Sequence, residues 1–373
     1  MLRAQTGVLL SCLACAAGLP LQAQQSTTIG GYGEVHYSNS NSSGSSGVID
    51  LARFVLYVGH SFNDRISFRS ELEVEDAKVA GGEPGGEVSL EQAFIDYKFG
   101  EPVTLRAGLV LMPMGIINEV HEPPTFNGVD RPLYDDVVIP TTWRELGAGV
   151  AGSIPGVQGL VYRAYLVNGL KAEGFSGVDG LRDGRQEGQN ASFANVALSG
   201  RVEWARPGLK LGLSGYYGGS ANSAPALGTG AFSAPVFIGA IDGRYEIGAF
   251  QFRGEAATES ISDAAAINAL YGNAVGSRVA GWYLEAGWNA LRLLARNSSH
   301  HLILFSRYEE DDTHAAVPSG TPRNPAFDRR VTTLGLTWKP ISQLAFKGDY
   351  QFRRNAAHQL EDDVVSLGLG WMF

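Results

Sequence analysis

Alternation with a period of two is the feature that most constrains this chain. In Val364–Phe373, one face of an extended segment carries Val365, Leu367, Leu369, Trp371 and Phe373. The other carries Val364, Ser366, Gly368, Gly370 and Met372. Such a strand puts one side into hydrocarbon and the other into water. Roughly ten tilted residues of it cross a bilayer, and the backbone is satisfied only if the sheet closes on itself. The same rhythm recurs from Thr28 to the last residue, so the expected fold is all-β: a closed antiparallel transmembrane barrel of about sixteen strands. A water-filled path is the first functional expectation.

Composition agrees. Of 373 residues only 44% are hydrophobic, and Gly numbers 48. Average hydropathy in a membrane protein is the mark of a barrel, because half of each strand is wet. Met1–Ala23 reads as a secretory signal: Arg3 at the start, a mostly apolar stretch from Val8 to Leu21, and Leu21-Gln22-Ala23 as a cleavage site. Residues 24–373 then form one barrel domain. Both cysteines, Cys12 and Cys15, lie in the signal, so a mature chain has no disulfide, cysteine-zinc site or thiol nucleophile. Removing Arg3 from the 29 basic residues leaves 28 against 38 acidic ones and a formal charge of about −10, which argues against nucleic acid as a partner.

Connectors alternate in length. Asn63–Arg65, Gly100–Pro102, Arg206–Gly208 and Pro340–Gln343 are tight turns, whereas Ser38–Ile49, Ile117–Trp143, Gly169–Ser192 and Asp311–Arg330 are long and polar. Barrels of the outer membrane keep short turns on the periplasmic side and long loops outside. Strands expected between them include Thr28–Tyr37, Val103–Ile116, His301–Glu310 and Asp363–Phe373. Within Ile66–Glu75 the lipid face is Ile66, Phe68, Ser70, Leu72 and Val74, and the wet face Ser67, Arg69, Glu71, Glu73 and Glu75. Tyr37, Tyr97, Phe99, Trp204, Trp338, Trp371 and Phe373, near strand ends, suit the headgroup level.

The connector Ile117–Trp143 stands apart. Prolines at 123, 124, 132 and 140 stiffen it and bar it from the sheet. A stiff loop of mixed polarity is expected to fold against the inner wall and narrow the channel. The candidate lining residues are therefore Glu119, His121, Glu122, Asp130, Arg131, Asp135 and Asp136 on the loop, and Arg144 just after it. The walls add Arg53, Arg69, Glu71, Glu73, Asp96, Arg106 and Arg163.

Three stretches, Arg53–Glu75, Leu90–Phe99 and Leu105–Gly115, resemble the first part of the phosphate-selective porin O and P family, with the likeness clearest over residues 30 to 170. The resemblance implies a sixteen-stranded, usually trimeric porin whose third loop constricts the pore. Terminal Phe373 is similar to the assembly signal of bacterial outer-membrane barrels. The charge pattern departs from the phosphate-selective members. Instead of a dense arginine ladder, basic residues alternate with Glu71, Glu73, Asp96, Glu145, Glu203, Asp242, Glu255 and Asp349. Desolvating an anion requires convergent donors without competing carboxylates. Opposed basic and acidic rows are expected instead, with a transverse field between them.

Chemistry of other kinds leaves little trace. His121-Glu122 and Asp135-Asp136 are weak divalent-cation candidates, and Glu309–His314 reads as an acidic tract on a long outside loop. No Gly-x-Ser-x-Gly or phosphate-loop motif is present. The expectation is a non-enzymatic porin of the Gram-negative outer membrane, without cofactor or metal. It would be homotrimeric, in contact with lipid and lipopolysaccharide, and passing small hydrophilic solutes or ions. The competing readings are a barrel whose outer loops bind a ligand or surface, and a barrel enzyme, neither with an open pore.

Overall fold

A computed structural model describes residues 26–42, 44–77, 86–295, 297–358 and 362–373. The expected signal at 1–23 lies outside them. Sixteen strands form a closed barrel in which every neighbouring pair is antiparallel and, apart from the closing pair of first and last strands, consecutive in sequence. They are β1 (Ser26–Ser40), β2 (Val48–Ser61), β3 (Ile66–Glu75), β4 (Val88–Gly100), β5 (Val103–Leu111), β6 (Arg144–Ser153), β7 (Leu160–Asn168) and β8 (Val196–Arg206). The second half comprises β9 (Leu209–Gly218), β10 (Val236–Ile247), β11 (Phe250–Ile261), β12 (Arg278–Asn289), β13 (His301–Ala316), β14 (Asp328–Ile341), β15 (Leu344–Asn355) and β16 (Val364–Met372). The seam is β1 on β16, from Tyr32 opposite Met372 to Ser40 opposite Val364. No helix among the described residues is long and apolar enough to cross a membrane; crossing falls to the strands.

The alternation has the expected outcome. Leu367 on β16 and Leu213, Ile241 and Leu284 on β9, β10 and β12 are exposed on the outer wall, while Ser366, Lys347 and Asp349 are buried inside. Short turns all lie at one end. In one of them the Asn63 side chain accepts hydrogen bonds from the amides of Arg65 and Ile66, both 2.9 Å, which fixes the β2–β3 turn. Aromatic pairs mark that end too: Tyr97 with Phe99 at 4.7 Å and Trp338 with Phe346 at 5.2 Å.

Most strand limits lie within a few residues of the sequence expectation, and two differ most. β5 stops at Leu111 rather than Ile116. Pro113 supplies no amide to a ladder, and the chain leaves the sheet there and turns inward. β13 runs on to Ala316, so the tract Glu309–His314 is a strand and not a solvated loop tip. Its acids alternate: Glu309 and Asp311 point inward and are buried, and Asp311 meets Arg329 at 2.7 Å. Lumen-facing acids on a strand and acids on a loop look alike in sequence.

The interior is not uniformly wet. Val236, Ile238, Val279, Tyr216 and Tyr283, all facing inward from β9, β10 and β12, are fully or nearly fully buried. Trp143, Val138, Ile139 and Leu170, from two long connectors, pack with them in one apolar cluster. Part of the inner wall is therefore a protein core. Wall glycines make room for it. A Cβ on Gly370 of β16 would meet Pro123 Cβ at 2.4 Å, and one on Gly281 of β12 would meet Val138 Cγ2 at 2.7 Å. Gly370→Val is thus expected to displace the segment around Pro123 and cost about 1–3 kcal/mol of stability by overpacking. Protease susceptibility of the folded protein at 117–130 checks it; an unchanged cleavage rate would count against the packing argument.

Candidate functional site

The connector 112–143 is held as a hairpin-like insert by Asn118. Its Nδ2 donates to the carbonyls of Met112 (2.7 Å) and Trp143 (3.0 Å), and its Oδ1 accepts the Trp143 amide at 2.6 Å. One buried amide therefore ties both roots of the segment together. The rest crosses the barrel. Its amides and side chains reach acids on the far wall: Ile116 N to Glu255 at 2.9 Å, Asn127 Nδ2 to Glu285 at 2.9 Å, Val129 N to Asp349 at 2.6 Å and Tyr134 N to Glu309 at 3.3 Å. Basic groups take its carbonyls and one ring. Arg244 donates to Ile116 O at 2.8 Å, Lys339 to Pro124 O at 2.5 Å, and Lys347 Nζ lies 3.7 Å from the centre of the Phe126 ring. Around Tyr134–Val137 the segment makes a single helical turn, α1.

Two charged cavities flank this insert. The larger, about 590 Å³, opens on the long-loop side, and Arg53, Glu73, Asp130, Arg131, Arg144, Glu187 and Arg353 are among its lining residues. The smaller, about 100 Å³, lies towards the short turns between Glu119, Arg163, Arg201, Glu203, Asp242 and Arg244. They share no lining residue.

The candidate residues fall into place as follows. Arg53 bridges Glu34 (2.7 Å) and Glu73 (3.2 Å). Arg106 binds Asp96 through two nitrogens, at 2.8 and 2.9 Å, and lies over the Phe94 ring at 3.8 Å. Arg163 meets Glu119 at 3.2 Å, Arg144 meets Glu187 at 3.2 Å, and Asp136 pairs with Arg182. Glu122 accepts from the Tyr57 hydroxyl at 3.2 Å, Asp130 lies 3.5 Å from His36, and Arg131 donates to the His121 carbonyl at 3.5 Å. His121 lies between Glu71 (3.4 Å) and Glu91 (3.3 Å). Arg69 is exposed on β3, close to the short turn and away from both cavities. Charges are thus joined in pairs and not set in opposed rows. In a crowded lumen most of these arginines take a carboxylate from an adjacent strand, the insert or the connector 169–195, while Arg131 and Arg244 donate to carbonyls of the insert. The adjacent candidates for a cation also diverge: His121 faces the wall while Glu122 turns to Tyr57, and Asp136 turns to Arg182 away from Asp135.

Asp135 is fully buried, and neither carboxylate oxygen has a hydrogen-bond partner among the described residues. Burial first, then the Glu255 and Glu309 carboxyls, push its titration well above the usual carboxylate range, against Arg307 and Arg131. An acid raised in this way keeps its proton in the folded state. The stability it contributes is whole below its unfolded value and is lost as pH climbs through the folded one. Asp135→Asn is expected to remove that loss and raise stability in alkaline buffer by ~1–3 kcal/mol relative to wild type. Unfolding midpoints in acidic and alkaline buffer check this, and parallel pH slopes for the two proteins would refute it.

Three contributions escaped the sequence reading. Glu91 enters the lumen through a bulge: Glu71 pairs with Gln92 but Leu72 pairs with Leu90, so Glu91 is extra. Strict alternation from inward Asp96 would have sent Glu91 into lipid, and that conflict was the available signal. Glu34 and His36 on β1, 2.9 Å apart, line the larger cavity. The connector 169–195 also folds over the insert, with Arg185 donating to the Pro140 carbonyl at 2.8 Å and Arg182 to that of Asp136 at 2.8 Å. Length alone gave no hint of where it would lie.

No protein-family model matches the chain. Among solved structures, OmpF of Salmonella typhi in complex with daunomycin aligns with a TM-score of 0.58 at 12% identity, covering 93% of this chain and 97% of that one. OmpT of Vibrio cholerae, an in-vitro folded outer membrane protein in trimer form, aligns at 0.56 and 9% identity, covering 94% and 99%. A mutant porin of Rh. blastica aligns at 0.52 and 11%, covering 93% and 100%. Likeness at such identities establishes the fold alone. In sequence, an uncharacterized protein of Aquifex aeolicus (strain VF5) is 35% identical over 370 residues, 96% of this chain and 82% of that protein. The chain belongs to the same family as this Aquifex aeolicus protein, and the fold it carries is that of the outer-membrane porins.

Proposed function

We propose that the protein is a non-enzymatic outer-membrane channel for passive diffusion of small hydrophilic solutes or ions. The segment 117–143 narrows its passage and the paired charges line it. The observation that carries this reading is the insert itself, hydrogen-bonded across the lumen between two charged cavities. Arg53, Arg106, Arg163 and Arg144 are each paired with a carboxylate, which weakens them as donors for a desolvated anion. The reading is therefore a weakly selective passage, sharing architecture rather than selectivity with the phosphate-selective porins that residues 30 to 170 resemble. Assembly as a homotrimer in lipid and lipopolysaccharide follows the precedent of the OmpT trimer form.

Single-channel recording of the purified protein in planar bilayers tests the proposal. Discrete steps in simple salt are expected, with similar reversal behaviour in potassium acetate and lithium chloride. A silent bilayer with verified insertion would end it. Arg144→Ala, which removes one cation beside the larger cavity and leaves Glu187 with Arg185 alone, is expected to shift preference towards cations.

A further inference from the structure

Among the described residues, three metal-ligating side chains converge where the insert meets the wall: Glu71 of β3, Glu91 of β4 and His121. We propose that they form a binding site for a divalent transition metal of the zinc type, which fastens the insert to the barrel. His121 Nε2 lies 3.4 Å from Glu71 Oε1 and 3.3 Å from Glu91 Oε2. Tetrahedral zinc with bonds of about 2.0–2.1 Å sets its ligand atoms about 3.3–3.4 Å apart. The spacing therefore matches the edge of such a tetrahedron.

The surroundings are built for this. Each ligand has its other polar atom already held: Glu71 Oε2 by Gln92 Nε2 at 2.6 Å, Glu91 Oε1 by the Thr142 hydroxyl at 2.6 Å, and His121 Nδ1 by the Asn118 carbonyl at 3.1 Å. Outer partners of this kind orient metal ligands and fix the imidazole tautomer with Nε2 free. The remaining Glu71 oxygen, on a fully buried side chain, has no hydrogen-bond partner among the described residues and lies 3.4 Å from His121 Nε2. Calcium is a poor fit, since it takes six to eight oxygens and no imidazole.

The experiment is metal analysis of the full-length protein, purified in detergent, stripped with a chelator and reloaded with zinc. One zinc per chain is expected, with binding weakened more than about hundredfold in Glu71→Gln and in His121→Ala. Cobalt substitution of the wild type should give the intense visible bands of a four-coordinate site, a readout that stands even if both variants fail to fold. Absence of stoichiometric zinc, a six-coordinate cobalt spectrum, or unchanged zinc binding by folded His121→Ala would each overturn the proposal. Because none of these readouts involves conductance, the site can fail while the channel reading stands.

Discussion

Arg307→Ala is expected to destabilise the barrel by about 3–5 kcal/mol, the cost of stripping the partner from buried charges. The guanidinium is buried between Glu309, at 3.0 Å, and Glu285, at 3.6 Å. Those two carboxylates are not spare. Glu309 accepts the Tyr134 amide and Glu285 accepts Asn127, so both hold the insert. Without Arg307, Glu285 keeps Arg253 at 2.9 Å, but Glu309 has no other ion-pair partner among the described residues and faces Asp135. Relief comes either by protonation or by pulling the insert off the wall, and both lower stability. Denaturant midpoints of the folded barrel, followed by tryptophan fluorescence, measure the effect. A midpoint within error of wild type would show that water already screens this cluster.

The second large effect concerns conductance and rests on the channel reading. Glu255→Ala with Asp349→Ala removes the carboxylates that receive the Ile116 and Val129 amides, and the first also releases the Tyr283 hydroxyl at 2.9 Å. Hydrogen bonds to a charged group contribute about 1.5–3 kcal/mol each, so losing both raises the undocked population of the insert about hundredfold or more. Larger and noisier single-channel steps are expected, with the weakest change in each single variant. If the double variant conducts like wild type, the insert does not limit flow.

How much of this was legible in the sequence depended on which physical signal each part left. The barrel was legible because Leu367 and Ser366 answer to different solvents, and that contrast repeats in most strands. The inward path of 117–143 was legible from its prolines. The length of β13 was not, because Glu309 and Asp311 are polar whether they face a lumen or the medium. The apolar half of the interior was hidden for the opposite reason: Val236-Phe237-Ile238 is greasy on both faces, so its inward side carries no contrast. Glu71 and His121 were in view as lining residues, but their convergence needed Glu91. That residue is delivered by a bulge which appears in sequence only as a charge out of phase.

The contacts of the insert also impose an order on biogenesis. A segment rooted after the fifth strand finds Asp349 on the fifteenth and Gly370 on the sixteenth. Its anchors at Tyr57 on the second strand and Glu71 on the third are made earlier, and those two are not. A precursor lacking the last two strands therefore carries this arm only partly docked, and its full set of contacts waits on a completed perimeter.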